Sequence, residues 1–272
     1  MLIRLGYDIA FELTHATPII AMLYVHPLRR DDLLQPETLK VEPEVPIHTY
    51  SDSFGNICGR LVAPAGKVRF TVDTTIRDSG EPDREAPDAP QHPVEDLPDD
   101  TLRFLLPSRY CEVDRLSDIA WQLFGAIAPG WARAQAICDW VHNHISFGYH
   151  FADSQKSALE VYRDGKGVCR DFMHLAVTFS RCMNIPARYV TGYLGDIGVP
   201  AAPYPMDFSA WYEVFLAGKW HTFDARHNQR RIGRVLMAVG RDAADVALTT
   251  NFGSAKLVTF SVVTEEVNEL PE

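Results

Sequence analysis

The sequence predicts an α+β protein: an N-terminal antiparallel β-sandwich-like domain, then a core of helices packed on an antiparallel sheet. Three observations predict it. Apolar residues alternate with period two over segment 1–77, the pattern of a half-buried sheet. They then recur at helical spacing between Leu116 and Met183. Alternating segments return after Ala187, so strands and helices are segregated along the chain, as in α+β folds.

The elements follow in order. Leu5, Tyr7, Ile9, Phe11 and Leu13 alternate with polar or small residues, and Val68, Phe70, Val72 and Ile76 do the same. Ile19 to Val25 is a continuous apolar run and is expected to be a central strand. Asp52 to Asn56 (DSFGN) is a turn signal. Residues 78–100 hold five prolines, which remove backbone donors and restrict their neighbours. This stretch is expected to be a linker or long excursion, in part disordered.

Helical spacing links Leu116, Ile119, Ala120, Leu123, Phe124 and Ile127, and again Ala134, Ile137, Cys138, Val141 and Ile145. Ser157-Ala-Leu-Glu160 reads as a capping box opening a short helix that stops at Gly165. A further helix starts at Cys169, with Phe172, Leu175, Ala176, Phe179, Cys182 and Met183 on its apolar face, and ends at Asn184-Ile-Pro186. Strands are expected at Ala187–Leu194, Ser209–Leu216, Lys219–Ala225 and Leu257–Val263, the middle two joined by a hairpin at Ala217-Gly218. The chain thus divides into a β-domain (1–77), an acidic proline-rich linker (78–100) and a second domain (101–272).

Composition bounds the function. The 272 residues are 46% hydrophobic, enough to bury a sizeable core. No apolar run reaches the ~20 residues of a membrane helix. The first residues alternate apolar and charged instead of forming a signal-peptide block, so a cytoplasmic protein is expected, without membrane attachment. Of the net charge of -10, nine acids and one base fall within residues 78–100, so the remainder is close to neutral. No basic footprint for nucleic acid extends over the chain. Five irregularly spaced cysteines do not make a disulfide framework.

Cys138 and Cys182 lie on apolar helix stripes and read as buried small hydrophobes. Cys58 falls in a strand, and Cys111 precedes a helix. Cys169 differs. At the first turn of a helix it meets unpaired N–H groups and the positive end of the helix dipole, which favour the reactive thiolate. Gly165 and Gly167 let the chain turn and leave the approach open. Backbone N–H groups there suit an oxyanion. Packing under a tight turn is the competing explanation.

The block Gly167 to Tyr193, GVCRDFMHLAVTFSRCMNIPARYVTGY, resembles the bacterial transglutaminase-like family of papain-like cysteine hydrolases. Cys169, Asp171, Ile185-Pro-Ala-Arg188, Val190, Gly192 and Tyr193 stand where that family's pattern places them. Segment 1–77 is similar to the β-domain that precedes this core in bacterial members. The resemblance implies a Cys-His-Asp triad with Cys169 as nucleophile. WHTFDAR matches the family's Trp-x-x-x-Asp and supplies Asp224 as the acid. The base is missing. The sequence reads DFSAWYEVF, so Ser209 stands in the histidine slot, and Ala210-Trp211, Glu213 and Val214 hold the register. A serine hydroxyl is no general base near neutral pH, so Cys169 lacks its imidazole partner.

His227, three residues past Asp224, is the candidate replacement base, with a solvated turn histidine as the alternative. His221 is expected to face away from Asp224. His174 lies about 140° around the helix from Cys169 and reads as structural. His142, His144 and His150 sit near a helix end and loop. Trp211 and Arg226 are candidate substrate-binding residues. The cluster Arg226, Arg230, Arg231, Arg234 suits a carboxylate or phosphate, or else is a solvated turn. Asp207 reads as a strand-entry residue. No paired metal-ligand spacing is present, so neither metal nor cofactor is expected.

Two functions compete. The first is a cysteine hydrolase acting on a peptide or isopeptide amide of a peptide or protein substrate through a Cys169 thioester. The second is a catalytically impaired peptide- or protein-binding module, with Ser209 marking the lost chemistry. A purely structural β-protein accounts for segment 1–77 but not for Cys169 and Asp224. Oligomeric state is not legible in the sequence.

Overall fold

A computed structural model describes residues 1–268. The alternating segments at the start become long strands. β1 (Leu2–Leu13) lies antiparallel to the last strand before the linker, Gly66–Arg77, with Leu2 opposite Arg77 and Leu13 opposite Gly66. Between them in sequence come β2 (Thr17–Ala21), β3 (Lys40–Glu42), β4 (His48–Ser51) and β5 (Ile57–Ala63), so Gly66–Arg77 is β6. β3 extends the first sheet along β6, while β2, β5 and β4 form a second. Apolar side chains of both sheets, among them Ile9, Phe70, Ile19 and Leu61, share one core. The run Ile19–Val25 is a strand only to Ala21. Beyond it the backbone finds partners outside the ladder: Met22 N–H donates to Leu248 O and Val25 N–H to the Glu37 carboxylate, at 2.9 and 2.8 Å.

The acidic segment is a strap laid against the rest of the chain, not a partly disordered linker. Ala89 is buried and its carbonyl accepts Trp131 N–H at 3.0 Å. Gly130 permits this approach, since a Cβ there would stand 2.5 Å from Ala89 O. Gln91 donates to Met183 O at 2.9 Å, and the β-hairpin tip donates to Pro90 O and to His92. Asp83 receives Arg231 N–H and Arg234 Nε at 3.0 and 2.9 Å. The prolines stiffen a path whose few free backbone groups are satisfied by the core.

A short turn of helix, α1 (Asp99–Leu102), leads into α2 (Val113–Phe124) and α3 (Trp131–His144). β7 (Ser146–Phe147), α4 (Ala158–Asp164) and β8 (Lys166–Gly167) follow. Ser157 N–H donates to Glu160 at 2.8 Å, as the capping signature expects, and Gly165 ends α4 with φ +61°. α5 (Cys169–Cys182) is buried from Asp171 to Cys182 on every face. Only one face is apolar in sequence. The rest is covered because α5 is packed between α2, α3 and α4 on one side and the second half's sheet on the other. Its Arg181 is fully buried and bonded to the carbonyls of Ala187 and Leu106.

That sheet has the order β11-β10-β9-β12, all antiparallel: β9 (Ala187–Leu194), β10 (Ser209–Leu216), β11 (Lys219–Phe223) and β12 (Arg234–Gly240). The β10–β11 turn has positive φ at both Ala217 and Gly218 (49° and 78°), the requirement of a tight hairpin. β12 lies outside the expected strands: it is buried throughout, so its sequence shows no alternation. The chain then returns to its beginning. β13 (Thr249–Asn251) pairs with β2, and β14 (Ala255–Val267) pairs with β1 from Leu2↔Val267 to Leu13↔Ala255. Strands from segment 101–272 thus complete both sheets of segment 1–77, and residues 269–272 lie outside the described residues. No helix among the described residues is long and apolar enough to cross a membrane.

Candidate functional site

Cys169 is the first residue of α5, half-buried beneath the mouth of a small hollow. The glycine before it is dictated by packing. A Cβ on Gly167 would lie 2.6 Å from Asp171 Cβ and Oδ2. Asp171 needs that space because its carboxylate folds back to accept Val168 N–H at 2.9 Å and Arg170 at 3.1 Å. The Gly-x-Cys-x-Asp pattern therefore fixes the entry to the helix, and Asp171, fully buried, positions Cys169 from below.

Burial pushes the Cys169 thiol up to about 11. Arg226 pulls it down, Asp207 pushes it up, and the backbone N–H groups of Arg170 and Ala210 pull it down. No imidazole is among these groups. The other four cysteines are buried; burial takes Cys138 and Cys182 to about 12.

Ser209 opens β10, opposite Gly192 of β9. It is 6% exposed, and its Oγ has no hydrogen-bond partner among the described residues. Asp224 leaves β11 nearby, also buried. Its Oδ1 accepts the N–H groups of Arg226 and His227 at 3.0 Å. Its Oδ2 accepts His227 Nδ1 and Arg234, each at 2.8 Å. Burial alone would raise this carboxyl, but the Arg234 charge and the His227 bonds outweigh it and hold it well below the usual carboxylate range.

His227 is therefore not a solvated turn residue. Its imidazole is held by Asp224, the residue that the resemblance implies as the acid. Nδ1 faces the carboxylate, and Nε2 has no protein partner among the described residues. The turn itself is held from α3. His142 Nδ1 lies 3.1 Å from the carbonyls of both Ala225 and Arg226 and must be protonated there to bond them. Asn228, at φ 48°, donates to Asp139 at 2.9 Å and to Asp224 O at 2.8 Å.

Two hollows meet at this place. One, of about 300 Å³, is lined by Ser209, Arg226 and His227 beneath the 194–208 loop. The other, of about 210 Å³, is lined by Cys169, Tyr189 and Thr191. Asp207, Phe208 and Ser209 line both, so Ser209 stands on the shelf between thiol and imidazole. Cys169 and His227 do not touch.

The remaining expected residues are sorted by burial. Trp211 is not a substrate contact: it is 2% exposed, packed with Val190, Leu236 and Val239, and lies under the Arg234 guanidinium at 5.2 Å. Gly192 of β9 gives the ring its room, for the ring tip lies 2.7 Å from where a Cβ would be. Arg226 lines the larger hollow. His221 bonds Leu216 O, away from Asp224. His174 is fully buried, stacked on Tyr110, and accepts Ala243 N–H; burial holds it far below the usual imidazole range. His144 reaches Tyr162 O, and His150 is exposed on Phe151. No group of three or more metal-ligating side chains gathers among the described residues. The sequence carried no sign of three supports: Arg234 bridging Asp224 to Asp83, His142 clamping the turn, and Asn228 locking it. Each rests on at least one contact between segments far apart in the chain.

The family described as the transglutaminase-like superfamily matches residues 119–225, a span that takes in Cys169, Ser209 and Asp224 and ends short of His227. A solved structure of a candidate cysteine protease from Cytophaga hutchinsonii is 31% identical, with a TM-score of 0.84, over 100% of this chain and 93% of that one. The chain belongs to the transglutaminase-like family. An uncharacterised protein of Mycobacterium leprae is 29% identical over 140 residues, 50% of this chain and 49% of the relative, so the match spans about half the length of that curated relative. The periplasmic domain of TgpA from Pseudomonas aeruginosa is similar at 16% identity and a TM-score of 0.39, over 82% of this chain and 90% of that one.

Proposed function

We propose that this transglutaminase-like protein is a thiol-dependent amide hydrolase in which His227, held by Asp224, replaces the imidazole missing from position 209. The observation that carries this reading is the 2.8 Å bond between His227 Nδ1 and Asp224 Oδ2. It fixes the tautomer that leaves Nε2 as the base, the arrangement a nucleophile–base–acid relay needs.

In the reaction, Cys169 Sγ attacks the amide carbonyl as its proton passes through one bridging water to His227 Nε2, since the two side chains are not in contact. The backbone N–H groups of Arg170 and Ala210 receive the developing oxyanion. The C–N bond breaks, and His227 returns the proton to the leaving amine. Water then cleaves the Cys169 thioester, giving its proton to His227 and restoring the thiol as the acid departs. A thiol raised to about 11 suits proton transfer during attack better than a resting ion pair.

The same raised thiol, which lines a different hollow from His227, supports a second reading: a module that holds a peptide without cleaving it. Steady-state rates on a fluorogenic peptide panel separate the two. Cys169→Ala is expected to abolish hydrolysis, and His227→Gln to lower kcat by about 10²–10⁴-fold, the usual worth of a general base. A wild-type protein that cleaves nothing, or a His227→Gln variant as fast as wild type, refutes the relay.

A further inference from the structure

We infer that Arg226 is a carboxylate anchor, and that the substrate is a peptide carrying a carboxylate beside the amide presented to Cys169. This deepens the proposed hydrolase reading and rests on it.

Four arginines fall within the 226–234 segment. Three are committed. Arg230 reaches Asp83 O at 2.6 Å and Glu85 at 3.7 Å. Arg231 donates to Gly195 O at 2.8 Å and pairs with Asp196 at 3.4 Å. Arg234 bridges Asp83 and Asp224 at 2.9 and 2.8 Å. Arg226 alone among them has no ion-pair partner among the described residues. Its guanidinium lies over the Phe147 ring at 4.0 Å and gives one hydrogen bond, to Tyr204 OH at 2.8 Å.

A guanidinium stacked on a ring keeps its remaining donors in the ring-parallel plane, a fork shaped for a carboxylate. This fork opens on the 300 Å³ hollow. The same hollow is lined by Ser209, 6% exposed, whose Oγ has no partner, so a hydroxyl awaits a ligand on the shelf beside the thiol. The Arg226 charge is also felt at Cys169, where it favours the thiolate. Asp207 faces the same space and shares Arg226's field without an ion pair; its burial already disfavours its own charge, so it opposes an incoming carboxylate less than an exposed aspartate would. The aromatic floor keeps the cation poorly hydrated, which strengthens a charge-assisted bond.

A peptide supplies such a carboxylate from its C-terminus or from an acidic side chain. Titration calorimetry on the Cys169→Ala protein distinguishes them. One pair of probes is acetyl-Ala-Ala-Ala with a free carboxylate and the same peptide as its carboxamide. The other is acetyl-Ala-Glu-Ala-amide and acetyl-Ala-Gln-Ala-amide. The acidic member of one pair is expected to bind at least about tenfold tighter than its neutral partner, the worth of one charge-assisted bond. Arg226→Gln removes the preference, and Arg226→Lys, which keeps charge but not the fork, retains part of it. A preference in the first pair assigns the C-terminus, and one in the second assigns the side chain. Equal binding of all four, no measurable binding, or a preference that survives Arg226→Gln overturns the anchor. Since the nucleophile is absent, that failure leaves the Cys169–His227 reading standing, and failure of His227→Gln to slow hydrolysis says nothing against the anchor.

Discussion

The resting state of Cys169 can be measured directly by alkylation against pH. A thiol at about 11 is ionised to only ~0.1% at pH 8, whereas an ordinary cysteine near ~8.5 is ionised to about a quarter. Cys169 is the one half-buried thiol among five, so access alone would make it the fastest to react. Burial acts against access: at pH 8 it is expected to label ~200-fold more slowly than an exposed cysteine, with a rate that climbs beyond pH 10. Two variants then test the charges. Opposite charges ~7 Å apart at an effective dielectric of ~20 interact by ~2 kcal/mol, more than one pKa unit. Arg226→Gln should move the midpoint up and slow labelling at pH 8 by about tenfold. Asp207→Asn should move it down. Iodoacetamide labelling followed by peptide mass spectrometry reads all five cysteines together, the buried four serving as controls. A midpoint at or below 8.5, or indifference to both substitutions, refutes the account of the thiol as governed by burial, Arg226 and Asp207.

Asp224→Asn should destabilise the fold by about 3 kcal/mol, the lower end for a broken buried ion pair because Arg234 keeps Asp83, and lower the thermal midpoint by about 6–12 °C. The Asp224 carboxyl is depressed in the folded state, so its contribution is present above the unfolded value near ~3.9 and lost as pH falls. The gap between wild type and variant should therefore close with acid, and a gap independent of pH would count against the pairing. Ser209→His, placed on the shelf between the two hollows, should create or raise thiol-dependent amide hydrolysis; no gain on a sensitive peptide screen argues against the site. Gly167→Ala should cost about 1–3 kcal/mol in denaturant unfolding, since Asp171 cannot yield its place without losing Val168 N–H. Stability unchanged by that methyl would show the helix entry to be slack.

Much of the fold was legible because its signals are local. The alternation of β1 and β6, the Ser157–Glu160 cap and the glycines before Cys169 each act within a few residues. The candidate nucleophile and acid were legible for the same reason: each sits in a short pattern. What was not legible is pairing across distance. Nothing near Asp83 announces that it holds Arg234, and a proline-rich acidic run reads as a linker until its carbonyls are seen meeting Trp131 and the hairpin tip. Trp211 departs from its expected role for a related reason, since a tryptophan two residues along a strand from the catalytic slot takes its place from the packing around it, here Val190, Leu236 and Val239. His227 stood only three residues from Asp224, and its placement depends on a turn that α3 holds through His142 and Asp139.

The pairing of β14 along the whole of β1 has a consequence for biosynthesis. During synthesis β1 has β6 for one neighbour early, but its other edge stays open until β14, far later in the chain, has been made. Contacts of such large sequence separation are slow to form, and an uncovered edge invites pairing with other nascent chains in the interval. Premature termination anywhere before Ala255 would leave that edge permanently bare, so prematurely truncated products should aggregate even when they contain Cys169, Asp224 and His227 intact.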